Sequence, residues 1–140
     1  MPPFFDTNVL VYLVDSDQPE KQEVARGLVE RYLAEGDGAI SVQVLREFFS
    51  ASRKLRTPVP VETAREAVEY FASFSPLAED APMVLRAVRR TGEMSISFWD
   101  ALIVEAALKS GADRLFTEDM QHGRVIEGMR VVNPFLDDAG

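Results

Sequence analysis

Four acidic residues, Asp6, Glu47, Asp100 and Asp119, lie in or beside apolar stretches: PFFDTNVLVYLV, VQVLREFF, SISFWDALIV and RLFTEDM. An isolated ionised carboxylate in such surroundings is costly unless it is paired or bound to a metal. Taken singly, three of the four have ordinary local roles. Asp6 precedes a helical pattern and suits an N-cap. Ser97-Phe98-Trp99-Asp100 fits a capping box, where the helix dipole also favours an acid. Asp119 falls in a polar turn, with Glu118 beside it as a rival for any inward position. Glu47 is mid-helix and caps nothing; its plain reading is a surface glutamate paired with Arg46 or Lys54.

The set is harder to explain than its members. Four carboxylates within about 5 Å of one another repel by roughly 3 kcal/mol per pair at an effective dielectric near 20. Six such pairs exceed the roughly 5–15 kcal/mol that holds a small domain together. A convergent cluster must therefore protonate, spread apart or hold cations. Oxygen donors with no cysteine and a single histidine select hard ions, Mg²⁺ or Mn²⁺. A pair of such ions about 3.5–4 Å apart suits hydrolysis of a phosphodiester.

The elements that must position these residues follow from the periodicity. Pro3-Phe4-Phe5 reads as a short strand ending at Asp6, followed by a helix from Thr7 to Val14. A second helix starts at Pro19, carries Val24, Leu28 and Leu33 and ends at Gly36. Ala39-Ile40-Ser41 is a second short strand. Val42 to Leu55 is helical, with Leu45, Phe48, Phe49 and Ser52 on one face, and Pro58 and Pro60 break the chain. Val61 to Phe74 is helical, Ser75-Pro76-Leu77 a minor strand, and Asp80 to Arg90 a helix stopped by Gly92. Ser97 to Ser110 is the clearest helix. Arg114-Leu115-Phe116 and Met129 to Val132 complete the strands. This alternation predicts one α/β domain over residues 1–140, an α/β/α sandwich around a short central parallel sheet. Ligands of such sheets bind beyond the carboxyl ends of the strands, where Asp6 and Asp119 both fall.

Bulk composition excludes several functions. The 140 residues hold no cysteine, which removes disulfides, zinc–thiolate sites and thiol nucleophiles and agrees with a reducing cytoplasm. No signal peptide is read at MPPFFDTNVL, and the longest apolar run, Val9 to Val14, is far short of a membrane span. A net charge of −8 argues against general coating of nucleic acid. It leaves room for a local basic rim. Arg46, Arg53, Lys54 and Arg56 form one cluster and Arg86, Arg89 and Arg90 another. Each alone reads as a solvated helix face; together they are expected to rim an acidic pocket.

The runs Phe5-Asp6-Thr7-Asn8-Val9-Leu10, Val44-Leu45-Arg46-Glu47-Phe48, Phe98-Trp99-Asp100-Ala101-Leu102-Ile103 and Leu115-Phe116-Thr117-Glu118-Asp119-Met120 together resemble the PIN-domain nucleases. Within these the chain is most similar to the VapC-type toxins of toxin–antitoxin pairs, along essentially its whole length and in the right order. The resemblance implies a PIN-like fold and a metal-dependent endoribonuclease. Asp6, Glu47, Asp100 and Asp119 would hold Mg²⁺ or Mn²⁺, with Asp6 and Asp100 the most direct ligands. Asn8 and Thr117 would be supporting polar groups. It also implies an RNA substrate, a cognate antitoxin filling the groove, a homodimer and a cytoplasmic location. Two other classes compete. One is a PIN-like binding module without catalysis. The other is a phosphatase-like enzyme with Asp6 as nucleophile, which usually wants a second aspartate where Asn8 stands. His122 reads as a loop or structural residue, and Trp99 as a packing residue.

Overall fold

Residues 2–136 are described by the structure, a computed structural model; position 1 and positions 137–140 of the expected domain lie outside the described residues. Strand β1 (Pro3–Phe5) is buried along its whole length and leads into α1 (Thr7–Val11), which tightens into a 3₁₀ turn over Tyr12–Val14. Helix α2 (Pro19–Leu28) has proline in its first turn, where a missing N–H costs nothing, and runs on as a π-helical stretch over Val29–Leu33. Helices α3 (Val42–Ser52), α4 (Val61–Ala72), α5 (Ala81–Met94) and α6 (Phe98–Lys109) follow, then β2 (Arg114–Phe116), β3 (Val125–Ile126) and β4 (Met129–Val132).

The sheet order is β1-β2-β4-β3. β1 pairs with β2, and β2 with β4, in parallel, so Asp6 and the loop after Phe116 leave the sheet at one edge. Single parallel bridges, Phe4 to Ala39 and Ser41 to Leu77, carry the pairing past β1 where two further short strands were expected. One strand was not expected at all. β3 runs antiparallel to β4 through a tight turn at Glu127 and Gly128, both with positive φ (49° and 87°). Such a turn favours Asn-Gly or Asp-Gly, and a two-residue strand closed by Glu-Gly gives little signal.

Capping fixes where the site-bearing helices begin. Ser41 Oγ accepts from Val44 N–H at the start of α3, Asp80 from Met83 N–H at α5, and Ser97 from Asp100 N–H at α6. Helix α5 does not stop at Gly92. It continues to Met94 and ends at Ser95, which takes the left-handed conformation (φ 54°) that Gly92 was expected to supply. Helix α6 is buried from Ala101 through Ala107, the pattern of a helix enclosed on all sides. Its one buried charge, Glu105, is held by Arg90 (2.6 Å) and Arg86 (3.1 Å). The core gathers Phe4, Phe5, Leu10, Phe48, Phe71, Ile103 and Leu115, all at most 1% exposed.

Candidate active site

Asp6 is buried at the carboxyl end of β1, 4% exposed. Its Oδ1 accepts the Thr7 N–H (2.7 Å), capping α1, and its Oδ2 accepts the Thr117 hydroxyl (2.8 Å). Asn8 joins the two ends of the site. Its Nδ2 donates to Asp119 Oδ2 (2.8 Å) and to Thr117 Oγ1 (3.3 Å), while its Oδ1 accepts the Glu118 N–H (3.1 Å). The loop after β2 is thereby fastened to the first turn of α1. Asp119 and Glu118 take opposite sides of it. Asp119 lines the cavity, whereas Glu118 turns to Lys21 (2.5 Å) and the Tyr12 hydroxyl.

Glu47 comes from α3. Its Oε1 accepts the Thr7 hydroxyl (3.1 Å) and its Oε2 the Gln43 amide (3.2 Å). Neither Arg46 nor Lys54 is its partner: Arg46 lies 3.5 Å from Glu79, and no ion pair of Glu47 exists among the described residues. Asp100 sits in the first turn of α6, half-buried, beside the Ser97 cap. All four acids line one cavity of about 400 Å³. A smaller cavity of about 240 Å³ adjoins it, with Asp100 and Asp119 lining both.

The electrostatics follow from burial and mutual repulsion. Burial pushes the Asp6 carboxyl from 3.8 up to about 7; the bonds from Thr117 and Thr7 oppose this, and the charges of Asp119 and Asp100 add to it. Asp100 is also raised, first by burial, then by Asp119, with Ser97 opposing and Glu47 adding. The carboxylates thus feel one another, and no cationic side chain lines the 400 Å³ cavity among the described residues. This donor set fits a hard divalent ion: oxygen only, and in want of positive charge. Among the described residues no group of three or more Asp, Glu or His side chains is arranged to hold an ion by itself. Mg²⁺ does not require one, since it keeps several waters and takes one or two carboxylates together with substrate phosphates.

Two expectations about the surroundings need correction. Neither basic cluster reaches either cavity; Arg86 and Arg90 are spent on Glu105, and among the described residues the arginine lining the smaller cavity is Arg124. Trp99 is not a core packing residue. It is 60% exposed at the mouth of the cavity, its ring edge-on to Phe98 at 5.1 Å. The sequence reading also passed over Gln43, 2% exposed, whose amide bonds both Glu47 and the Trp99 carbonyl (3.1 Å) and ties α3 to the start of α6. A glutamine four residues before a glutamate in an apolar stripe was the available signal. Asp15, a further acid on the cavity wall, gave none. His122 has a structural contact, its Nδ1 accepting the Asn133 N–H (3.0 Å).

The profile of the PIN domain matches residues 4–127. The chain belongs to the PIN domain family. Among solved structures, this PIN domain is similar to VapBC2 from Rickettsia felis, bound to a DNA fragment from its promoter, with a TM-score of 0.63 at 20% identity over 94% of this chain and 97% of the other. It is similar too to the sarcin–ricin loop cleaving toxin VapC20 of Mycobacterium tuberculosis, with a TM-score of 0.62 at 20% identity over 84% and 89% of the two chains. At that identity the likeness shows a shared PIN fold. No curated protein sequence matches the chain.

Proposed function

We propose that this PIN domain is a Mg²⁺- or Mn²⁺-dependent endoribonuclease, the toxin of a toxin–antitoxin pair, acting in the cytoplasm. The observation that carries the reading is the convergence of Asp6, Glu47, Asp100 and Asp119 on one cavity with two of them held above the usual carboxylate range. Asp6 and Asp100 would be the direct ligands, with Glu47 and Asp119 completing the charge. When bound, the ion supplies Lewis acidity toward a phosphate oxygen. The chain's own residues do the rest. Asn8 and Thr117 lock the rotamers of Asp6 and Asp119 from behind. Thr7 and Gln43 each hold one oxygen of Glu47. The buried Asp6 keeps negative charge where a cation compensates it and a phosphodiester can approach through the acidic cavity.

The two similar solved structures, VapBC2 and a sarcin–ricin loop cleaving toxin, support an antitoxin partner and an RNA substrate. An exposed apolar stripe on α5, Val84, Leu85 (66% exposed) and Val88 (54%), supports a homodimer or a partner contact. Among the described residues no helix is long and apolar enough to cross a membrane.

Purified protein given Mg²⁺ or Mn²⁺ should cut an RNA target, EDTA should stop it, and Asp6→Ala or Asp100→Asn should abolish it. Unchanged cutting by those variants overturns the site. That no three acidic or histidine side chains among the described residues are arranged to hold an ion by themselves is the one observation that favours a catalytically silent module instead; titration calorimetry showing no uptake of either ion selects that reading.

A further inference from the structure

A second cavity, about 560 Å³, lies apart from the acidic one. It lies between α2 and the face of the sheet at β2 and β4, and three arginines line it, Arg31, Arg114 and Arg130, against one acid, Glu23, which is paired with Arg26 (3.4 Å). Arg114 and Arg130 are register partners across the parallel β2–β4 pair, so like charges stand side by side on one face. Such a cross-strand pair is unfavourable unless something compensates it. The compensation within the described residues is thin. Arg114 meets Asp113 at 3.4 Å, and neither Arg31 nor Arg130 has an ion pair. Meanwhile Arg114 is held in place, its guanidinium over the rings of Tyr32 (5.1 Å) and Phe116 (5.6 Å) with Nη1 on the Tyr32 hydroxyl (3.1 Å). Arg31 lies over the same Tyr32 ring at 5.1 Å. On the helix side Gly27 lines the cavity, and a Cβ there would meet nothing within 4 Å, so the glycine leaves room that packing does not require.

We infer that this cavity is a binding site for phosphate groups, separate from the acidic centre. Three guanidinium groups on one cavity call for an anion with more than two acceptor oxygens. A carboxylate satisfies one guanidinium fork, whereas a phosphate offers oxygens to several at once. In a chain of net charge −8, a concentration of arginines on one face is the place where a polyanion can approach. The phosphates come from a nucleotide strand or from a small free anion. The site does not depend on the proposed cleavage, and it is tested without it.

The experiment uses the full chain in EDTA, so that the acidic centre is silent. Its probes are a fluorescent 2′-O-methyl oligonucleotide of mixed sequence, inorganic pyrophosphate and a poly-glutamate peptide of matched charge. Arg130→Gln and Arg31→Gln should each weaken the phosphate probes roughly tenfold, the size of one charge-assisted contact. Each should also flatten the salt dependence of the oligonucleotide by about 0.7 in log–log slope. Arg130→Lys should fall between. Binding of the oligonucleotide well above pyrophosphate assigns the strand as source; pyrophosphate binding equally well assigns a small anion. The inference is overturned if folded Arg130→Gln and Arg31→Gln bind both phosphate probes like the parent, or if poly-glutamate binds as tightly as they do.

Discussion

Replacing Asp6 with asparagine should pass from close to neutral in acid to stabilising in mild alkali, in protein stripped of divalent ions. In the unfolded chain an aspartate ionises near 3.8, and in the fold burial holds Asp6 at about 7. The folded state therefore binds the proton more tightly. The stability this lends is fully present below the unfolded value and is lost as pH rises through about 7. At 1.36 kcal/mol per unit, the total loss is about 4 kcal/mol, of which roughly 3 kcal/mol falls between about pH 4.5 and about pH 8. Asparagine carries no such dependence. It keeps an oxygen for the Thr7 N–H, but its amide meets a Thr117 Oγ1 that already accepts from Asn8 and from the Asp119 N–H. That mismatch costs about 1 kcal/mol. Asp6→Asn should thus be close to neutral near pH 4.5 and about 2–3 kcal/mol more stable than the parent near pH 8. Urea unfolding in EDTA at the two pH values, read as ΔG with m unchanged, measures the difference. A variant destabilised equally at both pH values would refute the account, because Asp6 would then be an ordinary ionised cap.

Four other outcomes follow from the same geometry. Millimolar Mn²⁺ near pH 8 should raise the midpoint of thermal unfolding of the parent by several degrees and leave Asp6→Asn unmoved, since a ligand stabilises only the state that binds it. Asp119→Asn should lose RNA cleavage while Glu118→Gln keeps it and loses at most about 1 kcal/mol of stability, because Glu118 is committed to a half-exposed pair with Lys21. Gln43→Leu removes a buried amide whose Oε1 has no partner, so folding should tolerate it, yet calorimetry should show weaker Mn²⁺ binding as Glu47 loses its anchor. Leu85→Glu should leave the midpoint of unfolding within a few degrees and shift any dimer to monomer in sedimentation.

What could be read from the chain, and what could not, divides along physical lines. The helices that bear the site announce themselves because each couples a polar cap to an apolar stripe: Asp6 before α1, Ser41 before α3, Ser97 before α6. Strands β1 and β2 are three residues each, legible because an apolar run ends abruptly at Asp6 and at Thr117. The β3–β4 hairpin escaped because its turn uses Glu127, and the end of α5 escaped because Ser95 rather than Gly92 takes the positive φ. Side-chain partnership was the least legible level. Charge clustering in sequence placed Arg86 and Arg90 on a rim, but a helix buried on all sides carries Glu105 toward them, and a buried carboxylate claims its cations before any solvent-facing role can. The cavity arginines, by contrast, stand at positions 31, 114 and 130, far apart in sequence: the register of β2 with β4 joins Arg114 to Arg130, and the helical stretch after α2 brings Arg31.

The capping and ligating readings of the acids prove to be compatible rather than rival. Asp6 spends Oδ1 on the Thr7 N–H and Oδ2 on the Thr117 hydroxyl, with a longer contact from Asn8 Nδ2 (3.5 Å), yet Oδ1 keeps a second lone pair and the residue lines the cavity. A cap lowers the cost of an ionised acid only where solvent or a cation completes the compensation; here two hydrogen bonds still leave the group at about 7. Ordinary capping of α1 would be met as well by a solvated serine or asparagine, without burying a charge beside Asp100 and Asp119. The excess of negative charge over what the caps require is therefore the feature that distinguishes a binding centre from a well-capped helix, and it is the quantity that the Mn²⁺ titration of the parent against Asp6→Asn measures directly.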